Sequence, residues 1–308
     1  MRIIEDINNF IYSGRMAVTI GKFDGFHLGH ARIVSHLLKY REKGLDIAVV
    51  TFRKSPLCVL NNDDNYKVIT TNDEKKLIFE KLGFDYYIEL PFDDSIRCLE
   101  ARDFAEGILI NKLNMKACVL GVDLRFGYKG AGDSELLKVI GEEKAIDVEV
   151  IEKVKVDDIV VSSTLIRQLI EAGDIEKANR LLETPFHIYG QVAFGRKIGR
   201  TISVPTANLI PDKNKLLPPF GVYVSETKLN GKSYKSVTNV GCKPTIEGDK
   251  PEVSVETHLI DFDGQIYGES INVSLISRIR DERKFDSLDA LKNQMQKDIE
   301  FVAKGFYG

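Results

Sequence analysis

Short apolar runs alternate with helical periodicity over the first 180 residues or so, and that rhythm stops near residue 184. Met16–Ile20 predicts a buried strand, residues 31–43 a helix with Ile33, Val34, Leu37 and Leu38 on one face, and residues 47–52 the next strand. Strand, helix and strand in that order make a βαβ unit, which requires a parallel sheet. A second helix starts at Thr71, where Glu74 three residues on completes a capping-box signature. Further strands are predicted at 86–89, 117–120 and 148–152, with a helix over 101–113. Two short helices, 163–172 and 174–182, close this half on either side of Gly173. The pattern is that of a doubly wound α/β domain.

After Glu183-Thr184-Pro185 the period changes to that of strands, at 187–194, Gly221–Leu229, 235–239, 253–260 and 271–277. Asn230-Gly231 and Asp263-Gly264 are hairpin-type turn dipeptides between them. One helix follows, capped at Asp286, with Leu288, Leu291, Met295, Ile299 and Val302 at helical spacing. Antiparallel strands with a single terminal helix predict a small β-barrel with the helix packed on it. The division is therefore 1–183 for the α/β domain and 184–308 for the barrel domain.

Composition narrows the class further. The 308 residues carry 46 acidic and 43 basic side chains, a net charge of −3, which gives no global reason to expect nucleic-acid or membrane-surface binding. Hydrophobic residues at 43% and charged ones at 29% suit a soluble globular chain and exclude wholesale disorder. Cys58, Cys98, Cys118 and Cys242 form no CxxC pair and no disulfide framework, so free thiols in a reducing compartment are expected. The N-terminus has acids where a secretory signal has a basic segment, and no apolar run reaches membrane-span length. The cytoplasm is the expected location.

Only five histidines occur, and two share the window His27-Leu28-Gly29-His30. This window follows the first strand of the βαβ unit and opens its helix, at the carboxyl end of the sheet where such folds bind ligands. A helix N-terminus offers unpaired N–H groups and partial positive charge to a phosphate. Gly25 and Gly29 let the backbone approach a ligand, and two imidazoles can donate to phosphate oxygens. Zinc binding by the two histidines and a plain structural role are the alternative readings.

Gly21-Lys22-Phe23-Asp24-Gly25-Phe26-His27-Leu28-Gly29-His30 closely resembles the GxFDGxHxGH signature of the prokaryotic bifunctional riboflavin kinase/FAD synthetase family, within the Rossmann-like HxGH nucleotidyltransferases. Residues 116–127 (KACVLGVDLRFG) resemble that family's strand and flavin-nucleotide loop, and residues 162–167 its SSTxIR motif. In the second half the resemblance continues through Pro205-Thr206-Ala207-Asn208, Gly221-Val222-Tyr223, Asn239-Val240-Gly241, Pro244-Thr245 and Val255-Glu256-Thr257-His258. It spans both domains in the family's order, and that joint order is its most specific feature.

The resemblance implies an adenylyltransferase in the first domain, in which the FMN phosphate attacks the α-phosphorus of ATP and pyrophosphate leaves. His27 and His30 would hold the triphosphate, within a loop that includes Gly21, Phe23, Gly25 and Gly29. Ser163 and Thr164 would add phosphate donors and Arg167 a guanidinium, although ordinary N-capping by the two hydroxyls would look identical in sequence. Asp123 would lie near the flavin or ribose, and Phe126 is a candidate for ring stacking. For the barrel the resemblance implies transfer of the ATP γ-phosphoryl group to the 5′-hydroxyl of riboflavin. Glu256 would be the general base, Thr206 and Asn208 oxygen ligands for Mg²⁺, and Gly195, Gly199 and Arg200 a loop over phosphates. The expected small-molecule partners are riboflavin, FMN, FAD and ATP, with Mg²⁺ in both halves.

Three positions depart from the family pattern. Ser55 stands where a histidine is usual, beside the added cations Arg53 and Lys54. Leu124 replaces a phenylalanine, and Ser203-Val204 replaces Gly-Phe ahead of Pro205. These changes leave open a chain with one of the two activities, or a non-catalytic flavin-nucleotide sensor.

Overall fold

The computed structural model describes residues 1–61, 63, 65–193, 205–243 and 252–305. Its contacts divide the chain into two compact units, Met1–Ser162 and Ser163–Gly308. The two helices predicted at the end of the first half thus group with the barrel by contacts. The physical reason lies in the second of them: Asn179 donates to the Leu275 carbonyl at 2.9 Å and accepts from the Phe186 amide at 2.7 Å.

The first unit is built on a six-stranded sheet of β1 (Arg2–Ile4), β2 (Met16–Ile20), β3 (Asp46–Phe52), β4 (Tyr86–Leu90), β5 (Met115–Gly121) and β6 (Asp147–Ile151). All pairings are parallel and the spatial order is β1-β4-β3-β2-β5-β6. From β2 the chain winds outward through β3 and β4, then returns to start β5 on the other side of β2. The gap beyond the carboxyl ends of β2 and β5 is therefore the topological switch point, where open α/β sheets bind ligands. Both faces are covered: Val18, Ala48, Ile88 and Cys118 pack in one core, Ala17, Val49, Tyr87 and Val119 in the other.

The predicted capping box is present, with the Thr71 hydroxyl accepting from Glu74 N–H at 3.3 Å and the Glu74 carboxylate accepting from Thr71 N–H at 2.8 Å. The helix predicted over 101–113 forms differently: a single α turn, Ala101–Asp103, widens into a π-helix over Phe104–Lys112. Unpredicted elements include the edge strand β1, the short helices Pro56–Leu60 and Asp94–Arg97, a helix at Ser134–Lys144 capped by Asp133, and a small hairpin of β7 (Lys155–Val156) and β8 (Ile159–Val160).

In the second unit six antiparallel strands close a barrel in the order β10-β13-β12-β11-β14-β9. They are β9 (His187–Ala193), β10 (Ala207–Pro211), β11 (Gly221–Leu229), β12 (Lys232–Lys243), β13 (Glu252–Leu259) and β14 (Ser270–Asp281). Asn230-Gly231 makes the expected hairpin turn, with φ of 47° and 79°, joining β11 to β12. Asp263-Gly264 does not join a hairpin, because β13 pairs with β12 and β10 while β14 pairs with β11 and β9. β10, unpredicted from the sequence, is the strand that closes the barrel between β9 and β13.

Most inward positions of the barrel are aliphatic, but Ser225, Thr227, Ser236, Thr238 and Thr257 are fully buried. Their hydroxyls form a closed ring: Ser225–Ser236 at 2.8 Å, Ser236–Thr227 at 2.8 Å, Thr227–Thr257 at 3.3 Å, Thr257–Thr238 at 2.9 Å and Thr238–Ser225 at 2.7 Å. Each hydroxyl can donate once around the circle, so every donor is satisfied without water. A slip of one residue would turn these groups outward and bury their neighbours, so the ring ties β11, β12 and β13 to one register. The terminal helix, Leu288–Ala303, is capped by Ser287 rather than the predicted Asp286, and its buried Asp298 bonds the Arg280 guanidinium at 2.8 Å.

Candidate active sites at the switch point and on the barrel wall

The loop after β2 is shaped by a backbone clamp. Asp24 accepts from the Thr70 amide at 2.9 Å, and the Thr70 hydroxyl accepts from the Gly25 amide at 3.0 Å. Gly25 has φ +64°, and a Cβ there would lie 3.0 Å from the Ile69 side chain, so the turn requires glycine. Phe23 adopts φ 48°, an uncommon conformation for a bulky residue, and its ring is buried edge-on to Phe79 and 5.0 Å from the His30 ring. The ring thus offers His30 an apolar neighbour.

His27 caps helix α1 (Leu28–Leu38) with its own ring. Nδ1 accepts from the amides of Gly29 at 3.1 Å and His30 at 3.3 Å. Two of the helix N–H groups expected to meet phosphate are thus already bonded, which shifts weight onto the imidazoles as donors to a ligand. An accepting Nδ1 places the His27 proton on Nε2. The two rings stack with centroids 3.7 Å apart, and Gly29 keeps the space beneath His27 open. Burial pushes His27 down to about 4, against the pull of the Asp123 carboxylate. Burial, with the His27 ring beside it, also holds His30 well below the usual imidazole range, against a backbone contact with Gly25. Both histidines are therefore neutral at pH 7 in the free protein.

Asp123, predicted from the sequence, follows β5 and so stands across the switch point from the HxGH loop. It is exposed and lies 3.4 Å from Lys153. Phe126 is elsewhere: only 5% exposed, its ring packs on Phe104 at 5.8 Å within the core. In the free protein its ring thus belongs to the core that backs this loop. Arg53, expected as an added cation, is committed to Glu89 at 3.6 Å and Glu5 at 3.5 Å.

Sequence reasoning missed the polar floor behind these loops. Among the described residues of this unit, the buried side-chain polar atoms without a hydrogen-bond partner belong to Thr19, His30, Thr51, Ser55, Tyr87 and Glu89. Thr19, Thr51 and Glu89 continue the sheet face of Ala17, Val49 and Tyr87 to the carboxyl ends of the strands. Lys75 is buried beside them, its ammonium drawn to Asp24, Glu89 and Glu74 while burial lowers its pKa. In sequence Lys75 sits within Asp73-Glu74-Lys75-Lys76, which gives only the signal of a solvated helix face.

On the barrel, register brings the second constellation together. Asn208 of β10 and Asn239 of β12 stand directly opposite Glu256 of β13, one on each side. Interior residues Val255 and Thr257 flank Glu256 along its strand, so all three polar side chains face outward. The Asn208 Oδ1 is buried and has no partner among the described residues. Thr206 lies just before β10, and His258 accepts or donates nowhere at random: its Nδ1 meets the Pro205 carbonyl at 2.7 Å. Ser163, Thr164 and Arg167 open the helix Ser163–Glu171, in the second unit by contacts. Gly195, Gly199, Arg200, Ser203, Val204, Pro244 and Thr245 lie outside the described residues.

The FAD synthetase family model matches residues 11–165 and the riboflavin kinase family model matches residues 182–306. A bifunctional riboflavin kinase/FMN adenylyltransferase of Buchnera aphidicola is 38% identical over 99% of this chain and 98% of its own length. This chain belongs to that family. The bifunctional enzyme of Bacillus subtilis is 36% identical over 95% of this chain and 93% of its own. A crystal structure titled a macrolide-efflux protein from Streptococcus pneumoniae aligns with TM-score 0.86 and 31% identity, covering 98% of this chain and 99% of that one. Among the described residues here no helix is long and apolar enough to cross a membrane. With both family domains present, the chain is a riboflavin kinase and FMN adenylyltransferase, a flavin-cofactor enzyme with ATP as co-substrate in both steps.

Proposed function

We propose that the HxGH loop carries adenylyl transfer and that the outer wall of the barrel carries phosphoryl transfer, with functional domains of 1–183 and 184–308. The observation that supports this most is the pairing of each constellation with its family domain: stacked His27 and His30 at the switch point within residues 11–165, and the Asn208–Glu256 rung within residues 182–306.

In the first reaction the FMN phosphate attacks the ATP α-phosphorus and pyrophosphate leaves. No covalent enzyme intermediate is needed, so the protein contributes positioning and charge stabilisation. Neutral His27 donates from Nε2 to a phosphate oxygen, and the anionic ligand favours the protonated form of both imidazoles. Gly21, Phe23, Gly25 and Gly29 shape the loop, and Asp123 contacts the flavin nucleotide from the loop after β5. The SSTxIR segment supplies further phosphate donors through Ser163, Thr164 and Arg167 on the strength of its sequence.

In the second reaction Glu256 takes the proton of the riboflavin 5′-hydroxyl as that oxygen attacks the γ-phosphorus and ADP leaves. The unpartnered Asn208 Oδ1 fits a hard cation, as does the all-oxygen donor set it makes with Thr206. Mg²⁺ held there would offset phosphate charge. Gly195, Gly199 and Arg200 complete the phosphate loop in this reading. Burial pushes the Cys118 thiol up to about 12, which makes it an inert core thiol, and residence in a reducing cytoplasm rests on the cysteine pattern of the sequence.

A chromatographic time course with riboflavin and MgATP tests the assignment, with FMN supplied in a parallel reaction. Passage of riboflavin through FMN to FAD supports it. FMN accumulating unchanged would restrict the chain to the kinase, and FAD formed only from added FMN would restrict it to the adenylyltransferase. Consumption of neither would leave a flavin-nucleotide sensor.

A further inference from the structure

His258 is the one histidine of the Val255-Glu256-Thr257-His258 segment, and the two reactions above give it no part. It lies two residues from Glu256 on the same outward face of β13. Its Nδ1 is 2.7 Å from the carbonyl oxygen of Pro205, so the ring must carry a proton on Nδ1 and donate it. Pro205 is the first residue of Pro205-Thr206-Ala207-Asn208, and β10 begins two residues later at Ala207. Asn208 is opposite Glu256, and its buried Oδ1 has no partner among the described residues.

β10 is a five-residue strand whose regular pairing with β13 covers only Ala207, Asn208 and Leu209. Proline cannot donate to a strand ladder, so the backbone at Pro205 has no N–H with which to extend that pairing. The imidazole supplies a side-chain bond from the partner strand to the Pro205 carbonyl, the one hydrogen-bonding group the Pro205 backbone retains. It therefore pins the segment at the end where Thr206 and Asn208 must be placed.

We propose that His258 is a positioning residue of the kinase site: it docks the Pro205–Asn208 segment on β13 so that Thr206 and Asn208 present their oxygens beside Glu256 to a metal–nucleotide complex. This rests on the reading of Thr206 and Asn208 as metal ligands and of Glu256 as base.

The test is calorimetric binding of MgADP to the full-length protein, combined with kinase kinetics. An asparagine side chain places its amide nitrogen near the position of Nδ1, whereas glutamine reaches toward Nε2. His258→Leu is expected to weaken MgADP at least tenfold and raise the KM for ATP similarly, while kcat changes less than threefold. His258→Asn is expected to recover binding to within threefold of the parent, and His258→Gln is not. A purely structural histidine would instead give Asn, Gln and Leu variants with equal losses of stability and no split between KM and kcat, which would overturn the proposal. So would a His258→Leu protein that binds MgADP like the parent while Asn208→Ala does not. Normal binding by Asn208→Ala would point to a failure of the metal-ligand reading itself, and Glu256→Gln, which should bind MgADP but not turn over, checks the base separately.

Discussion

The switch point of the first unit and the outer wall of the barrel are proposed to handle the same co-substrate, yet they are built in opposite ways. In the parallel sheet the reactive groups sit on loops beyond the strand ends. Their geometry is set by backbone devices: a positive-φ glycine, a clamp through Thr70, and a histidine that caps its own helix. In the barrel the proposed groups sit within strands, and cross-strand register alone aligns Asn208, Glu256 and Asn239. The loop site should therefore respond to changes in local backbone and protonation, and the barrel site to changes in strand pairing. The hydroxyl ring beneath the wall ties the β12–β13 part of that register, the part that sets Asn239 beside Glu256.

The largest effect that separates the two regions comes from the proposed base. Glu256→Gln should lower riboflavin phosphorylation by roughly 10²–10⁴-fold and leave FAD formation from added FMN at the parent rate. Steady-state assays of both half-reactions on the same preparation check this.

Protonation comes next and acts on the loop site. Because the folded state depresses the His27 pKa to about 4, the unfolded chain binds this proton first as pH falls. The stabilisation is complete above pH 6.5 and is lost as pH drops toward 4, by about 3 kcal/mol. His27→Asn, which keeps a capping acceptor without titrating, should flatten that part of the stability curve in urea unfolding series at pH 7.5 and 4.5. An unchanged slope would remove His27 from the acid response.

Register is probed by Thr257→Val, which keeps the shape of the residue and opens the hydroxyl ring. Leaving a buried partner unsatisfied costs about 1–3 kcal/mol, read as a lower denaturation midpoint, with kinase turnover falling before adenylyl transfer does. The smallest effect is expected from Gly25→Ala. It forces an alanine to φ +64° against Ile69, at about 1–2 kcal/mol, and should lower adenylyl transfer while sparing the kinase.

The contrast also explains what could be read from the chain in advance. Strands β2 and β3, the Thr71 capping box and the Asn230-Gly231 turn are local patterns, and each is where its residues place it. β10 was invisible because Asn208 and Pro211 interrupt its short apolar pattern and Pro205-Thr206 ahead of it have loop composition, while its partner in β13 lies about fifty residues further along. The barrel order was illegible for the same reason, since Asp263-Gly264 has the form of a hairpin turn without joining paired strands. His27 and His30 stood out by spacing, whereas Lys75 and Glu89 acquire meaning only when the sheet face buries them. Phe126 depends on tertiary context in the same way: its loop motif made it a stacking candidate, and in the structure its ring packs on Phe104.

The claim that two independent sites share one chain is tested most directly by mixing two crippled proteins. His27→Ala should convert riboflavin to FMN and stop, and Glu256→Gln should leave riboflavin unchanged but adenylylate added FMN. An equimolar mixture of the two, given riboflavin and MgATP, should then produce FAD through free FMN. FAD made by either variant alone from riboflavin, or a mixture that stays at FMN although Glu256→Gln adenylylates added FMN, would contradict the account.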